Sequence, residues 1–227
     1  MAELHHTKEI DGHVHHHGDG SLWHELLCHF PYSVFAVSAA LLLLSLLQLQ
    51  EVPTIAQMSK FHHLFHTFHY LHIVFAAIGT VVTFFRFSHN RLLGFIIGTL
   101  SPAIFCILSD IVLPYLGGRL LGLPMHLHIC FFSEQFNIII FLLVGFITGL
   151  ALSSQRDALT ENTMISKYAH ATHILLSASA SLFYMVSHGL CGIDVAMGTL
   201  FLVLLVCVVV PCTLSDIVVP IWIAKRG

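Results

Sequence analysis

Two copies of one pattern of ionisable residues lie about 100 residues apart in this chain. The repeated motifs are His-x-x-His, Ser-His and Ser-Asp-Ile-Val-x-Pro, which begin at His69 and His170, at Ser88 and Ser187, and at Ser109 and Ser215. An upstream trio is also repeated, as His24, Cys28 and Phe30 and then as His126, Cys130 and Phe132. The pattern predicts two structurally related halves, each with its own metal-ligating residue types.

The chain is too apolar for a soluble domain. Its mean hydropathy is +0.86 and 9% of its residues are charged, whereas about a quarter are charged in soluble proteins. A helix needs roughly 20 apolar residues to cross the hydrocarbon core of a bilayer. Six stretches have about that length: 31–50, 67–87, 92–116, 129–152, 169–188 and 196–223. The sequence therefore predicts an all-α, polytopic protein with six transmembrane helices in a lipid bilayer.

The number of apolar stretches in each copy predicts how the halves are oriented. Each copy holds three, and after an odd number of crossings the chain enters its second copy from the opposite side of the membrane. We therefore predict two inverted three-helix repeats, residues 24–122 and 123–227. They follow a His-rich cytoplasmic tail, residues 1–23, whose composition is typical of segments that collect transition metals.

The basic residues predict the orientation in the membrane. With the N-terminus in the cytoplasm, seven of the nine Lys and Arg residues lie inside and only Lys60 and Arg119 lie outside, as the positive-inside rule favours. The first apolar stretch has neither a basic segment before it nor a small-residue cleavage site, so we do not expect a signal peptide. We expect a multi-pass protein of a bacterial inner membrane with both termini in the cytoplasm.

The repeated histidines and aspartates predict two metal sites, one near each membrane face. Residues three apart on a helix lie on the same side, so two imidazoles at that spacing can reach one ion. Ionisable groups within membrane spans are costly and usually functional. The expected outer ligands are His69, His72, Asp110, His126, His128 and His188. The expected inner ligands are His24, His29, His89, His170, His173 and Asp216.

Imidazole and carboxylate ligands favour zinc or iron(II), with cobalt, nickel or manganese as further candidates. The cysteines within apolar stretches, Cys106 and Cys212 among them, are interpreted as small apolar residues. Because imidazole binds a metal only when it is neutral, metal binding should compete with protons.

Three functional classes fit these residues. A divalent transition-metal transporter is favoured over an enzyme, since inverted repeats suit alternating access. The alternative is an electron carrier with two b-type haems held by paired histidines. A di-iron hydroxylase or desaturase is disfavoured, because the topology divides the histidines between two faces. The expected partners are the bilayer and the metal ion, with a homodimer left open and nucleic acid excluded.

Overall fold

In the computed structural model every described secondary-structure element is a helix. The structure describes residues 22–48, 55–130, 134–154, 163–190 and 196–226, without the side chains of 22–26, 28–29, 48, 55–57 and 163–169. These residues form eight α-helices, which are α1 Leu22–Gln48, α2 Ile55–Phe87, α3 Arg91–Ile107, α4 Leu113–Leu120, α5 Gln135–Ser154, α6 Thr163–Met185, α7 Met197–Thr213 and α8 Val219–Ala224. The predicted tail, apart from its last two residues, lies outside the described residues.

Five helical stretches are long and apolar enough to cross a membrane. They are Phe30–Leu47, Met58–Phe87, Arg91–Leu120, Gln135–Ser154 and Met197–Ala224. Large apolar side chains such as Phe35, Leu92 and Ile147 are more than 60% exposed. Such an apolar outer surface is costly in water and favourable in lipid. These helices therefore indicate a bilayer environment, as the sequence predicted.

Helices α2 and α6 form the centre of the bundle. Helix α2 packs against α3, α5 and α6, while α6 also packs against α1 and α7. Small residues permit the closest approach: a Cβ on Gly145 of α5 would lie 2.6 Å from the carbonyl oxygen of Val74 on α2. Glycine four residues from glycine, as in Gly145 and Gly149, is typical of such helix contacts in membranes.

Helices α3 and α7 each widen into one π-helical turn with the same sequence, Leu-Ser-Asp-Ile-Val. The turns are Leu108–Val112 and Leu214–Val218. Proline follows each aspartate by four residues, at Pro114 and Pro220. Proline has no N–H to donate to the aspartate carbonyl, and its ring would clash with that carbonyl in a regular α-helix. The helical path continues beyond both turns, into α4 and α8.

Candidate metal site

The two His-x-x-His motifs meet inside the bundle. His72 Nε2 on α2 lies 2.8 Å from His173 Nε2 on α6, and both side chains are buried. His72 was predicted at the outer face and His173 at the inner face, but the two side chains are in contact, so they do not belong to separate sites. We call His69, His72, Asp110, His173 and Asp216 the central cluster.

Asp110 receives hydrogen bonds on both carboxylate oxygens. The Nδ1 atoms of His69 and His72 donate to Oδ2 over 2.8 and 2.7 Å. The hydroxyls of Ser109 and Ser177 donate to Oδ1 over 2.6 and 3.1 Å. A group that accepts from four donors is an ionised carboxylate. Asp110 therefore keeps the proton of His72 on Nδ1.

Asp216 holds His173 in the corresponding way. His173 Nδ1 donates to Asp216 Oδ2 over 2.5 Å. The same oxygen lies against α2, where a Cβ added to Gly79 would be 2.9 Å from it. The second oxygen, Oδ1, is buried and has no hydrogen-bond partner among the described residues. The proton of His173 is therefore also on Nδ1.

These two protonation states determine what the centre can bind. A neutral imidazole with its proton on Nδ1 carries a lone pair on Nε2. The lone pairs of His72 and His173 then face each other across 2.8 Å. They repel unless a cation, either a shared proton or a metal ion, lies between the two nitrogens. A carboxylate on Nδ1 is also the usual support for a metal-binding histidine.

Two cysteines lie beside these imidazoles, and one of them, Cys212, could serve as a third ligand. The ligand atoms of His72, His173 and Cys212 all lie within 4.8 Å of one another. Cys212 Sγ is 3.7 Å from His72 Nε2, and Cys106 Sγ is 3.8 Å from the same nitrogen. The sequence analysis interpreted both as apolar residues. Their position four residues before each repeated aspartate, one helical turn away, was the available signal.

The other predicted ligands lie apart from this centre or are only partly described. His170 is near it, with its ring centroid 6.3 Å from that of His173. His128 and His188 stack on each other, 5.8 Å apart, while His126 and His89 are exposed. The residues His24 and His29 belong to α1, and their side chains lie outside the described residues.

The central carboxylates bring negative charge into the apolar bundle. In the described part of the chain, the ion-pair partners of Asp110 and Asp216 are histidines rather than Lys or Arg. Two buried carboxylates leave two negative charges, which protonated imidazoles or one divalent cation would neutralise.

No protein-family model, no curated protein and no solved structure matches this chain.

Proposed function

We propose that the protein transports a divalent transition-metal ion through the membrane and binds it at the central cluster. The observation that carries the proposal is the pair of Nε2 atoms of His72 and His173, 2.8 Å apart with both Nδ1 atoms engaged by carboxylates. This arrangement provides two lone pairs for one cation. A divalent ion would also balance the charges of Asp110 and Asp216.

The ligand geometry favours zinc among the candidate ions. Zinc–nitrogen bonds of about 2.05 Å and zinc–sulfur bonds of about 2.3 Å in a tetrahedron put N and S about 3.55 Å apart and two N about 3.3 Å apart. Cys212 Sγ is 3.7 Å from His72 Nε2. The two imidazoles, at 2.8 Å, need only separate by about half an ångström. A three-ligand set also leaves one position through which an ion can exchange.

In this proposal Asp110 and Asp216 act through the histidines. Both aspartates were expected as direct ligands. Their Oδ2 atoms instead accept the Nδ1–H groups of His69, His72 and His173. Such carboxylates fix the orientation of the ring and strengthen its other nitrogen as a ligand.

We propose that transport follows from exchange between two inverted repeats. Two reciprocal hydrogen bonds support a symmetric relation between the halves. Thr80 on α2 donates to the carbonyl of Ser215 over 3.1 Å. The Ser181 hydroxyl on α6 is shared between the carbonyl of Ser109 at 3.0 Å and that of Ser177 at 2.8 Å. The two accepting carbonyls, of Ser215 and Ser109, occupy equivalent positions in the two π-helical turns. Interrupted helices that meet at the centre of two repeats are common in alternating-access carriers.

The bundle ends support the orientation proposed from the basic residues. Arg86, Arg91 and Arg226 stand at helix ends on one side, whereas Lys60 and Arg119 stand at the other. We propose that the former side is cytoplasmic, in a bacterial inner membrane. The histidine-rich tail would then collect or receive ions on that side.

The haem alternative gains less support from this geometry. The two axial imidazoles of a haem lie on opposite faces of the porphyrin, and their ligating nitrogens are about 4 Å apart if each iron–nitrogen bond is about 2 Å. The imidazole centroids of His72 and His173 are 4.7 Å apart and their Nε2 atoms 2.8 Å apart. That space accommodates a bare ion rather than a macrocycle.

Zinc flux into proteoliposomes tests the proposal. The intact chain should fill vesicles that contain a zinc-sensitive dye, while His173→Ala and Asp216→Ala should abolish the flux. Deletion of residues 1–20 should only reduce it, because the tail can raise the local ion concentration but does not form the path.

The matched control is His63→Ala, because His63 is exposed and lies on α2 outside the central cluster. This variant should retain wild-type flux. A purified protein with a haem Soret band and no zinc flux at any pH would refute the transporter and favour the electron carrier.

A further inference from the structure

Four histidines gather at the end of the bundle where α2 begins. They are His62 and His66 on α2, His128 in the segment before α5, and His188 in the π-helical turn Val186–Leu190 that ends α6. All four are partly exposed at the surface of the bundle. We call them the surface histidine cluster. Three separate parts of the chain contribute to this cluster, so it does not arise merely from the spacing of histidines along one helix.

The rings lie close enough together for side-chain rotation to bring their nitrogens to one ion. The centroids of His62, His128 and His188 form a nearly equilateral triangle with sides of 5.8, 5.8 and 6.0 Å. A metal–nitrogen bond of about 2.05 Å puts the ion about 3.2 Å from each ring centroid, so centroids around one ion are about 5.2–5.5 Å apart. The observed triangle is about half an ångström wider on each side. The rings of His128 and His188 are also nearly parallel, at 12°, so one of them would have to rotate for both to reach the same ion.

The hydrogen bonds of His188 leave a suitable nitrogen for a metal. Its Nδ1 lies 3.0 Å from the carbonyl oxygen of Tyr184 and 2.8 Å from Ser187 Oγ. The Ser187 hydroxyl donates to that same carbonyl, so both neighbours accept a hydrogen bond and Nδ1 carries the proton. The lone pair is then on Nε2. His62 Nε2 and His66 Nε2 face each other across 3.1 Å, the same kind of nitrogen pair as in the central cluster.

Helix α2 connects this cluster to the centre. His62, His66, His69 and His72 follow one another at spacings of four, three and three, along one side of the helix. At 1.5 Å per residue, His62 is about 15 Å from His72 along the axis. Two nitrogens between them, His66 Nδ1 and His69 Nε2, are buried without a hydrogen-bond partner among the described residues.

We propose that the surface histidine cluster is a second metal site, which captures a divalent transition-metal ion and passes it along α2 to the central cluster. Its role as the mouth of a path rests on the proposed transport function, but its ability to bind an ion does not. Glu134 lies near enough to His62 and His66 to interact electrostatically with them. A carboxylate beside the cluster favours an approaching cation.

Cobalt(II) binding to the full chain in detergent distinguishes the two sites. Cobalt bound at the centre should show a thiolate-to-cobalt charge-transfer band because Cys212 is a ligand there. The surface histidine cluster lacks a described cysteine ligand, so its cobalt should show only ligand-field bands. The tail contributes equally in every variant.

His128→Asn and His188→Asn should each lose one cobalt ion per chain, as measured by equilibrium dialysis, and keep the thiolate band. His63→Asn is the matched control, because His63 neighbours the cluster in sequence but is exposed, and it should bind as the wild type does. Zinc flux at low zinc concentration should fall about 10-fold or more in the two cluster variants.

Equal cobalt stoichiometry in the wild type, His128→Asn and His188→Asn would overturn the second site. Loss of one ion in both cluster variants would support the site even if the wild type transported no zinc. In that case the proposed function would fail while the binding site would stand. Cys212→Ser should show the opposite pattern, losing the thiolate band and keeping the surface ion.

Discussion

The substitution Gly79→Ala tests the central cluster without changing any proposed ligand. A Cβ at this position of α2 would lie 2.9 Å from Asp216 Oδ2, whereas ordinary contacts begin at 3.4 Å. The carboxylate would therefore have to move by about half an ångström, which is the tolerance within which binding groups must be held. Asp216 in turn holds His173 over 2.5 Å. We expect the metal affinity to fall about 10-fold, the lower end for loss of a supporting carboxylate.

Fold stability should change much less than affinity in this variant. Alanine is favoured over glycine within a helix by roughly 0.5–1 kcal/mol, and this gain opposes the strain at Asp216. The matched control is Gly198→Ala on α7, where an added Cβ would meet nothing within 4 Å. Cobalt titration and a thermal melt would be measured for both. Wild-type affinity in Gly79→Ala would refute the positioning role of Asp216.

Three further outcomes follow from the packing and chemistry. Thr80→Val and Ser181→Ala each remove a hydroxyl contact with a π-helical turn and should each destabilise the protein by about 0.6 kcal/mol, as measured by unfolding in micelles. Wild-type stability of either variant would count against that contact. Gly145→Ala places a Cβ 2.6 Å from a backbone oxygen and should cost about 1–3 kcal/mol in the same assay. Zinc flux should fall as the pH is lowered, because protons compete for the Nε2 lone pairs of the central cluster, and a flux that rises instead would contradict imidazole ligation.

The repeated polar residues were sufficient to identify all five residues of the central cluster, but not that the two halves of the repeat meet in one place. The sequence predicted a span at 67–87, which put His69 and His72 near one face. Helix α2 begins instead at Ile55, and the part of it that is apolar enough to cross a membrane begins at Met58, before the predicted span. His72 therefore lies near the middle of the helix, where it meets His173.

The role of the cysteines was missed for a different reason. Free cysteines in apolar segments are usually small apolar residues, and only their register with Asp110 and Asp216 distinguishes Cys106 and Cys212. The proline four residues after each aspartate is compatible with either a π-helical turn or a helix end, since it removes a regular helical hydrogen bond in both cases. Packing against α2 and α6 then decides which one forms, and local sequence does not contain that information.

Anomalous diffraction from crystals of the zinc-loaded full chain would test the central claim most directly. We predict a peak between His72 Nε2 and His173 Nε2, bonded to Cys212 Sγ, with the two nitrogens about 3.3 Å apart rather than 2.8 Å. Zinc peaks elsewhere in the molecule, with these two nitrogens still in direct contact, would contradict a metal site at the centre of the bundle.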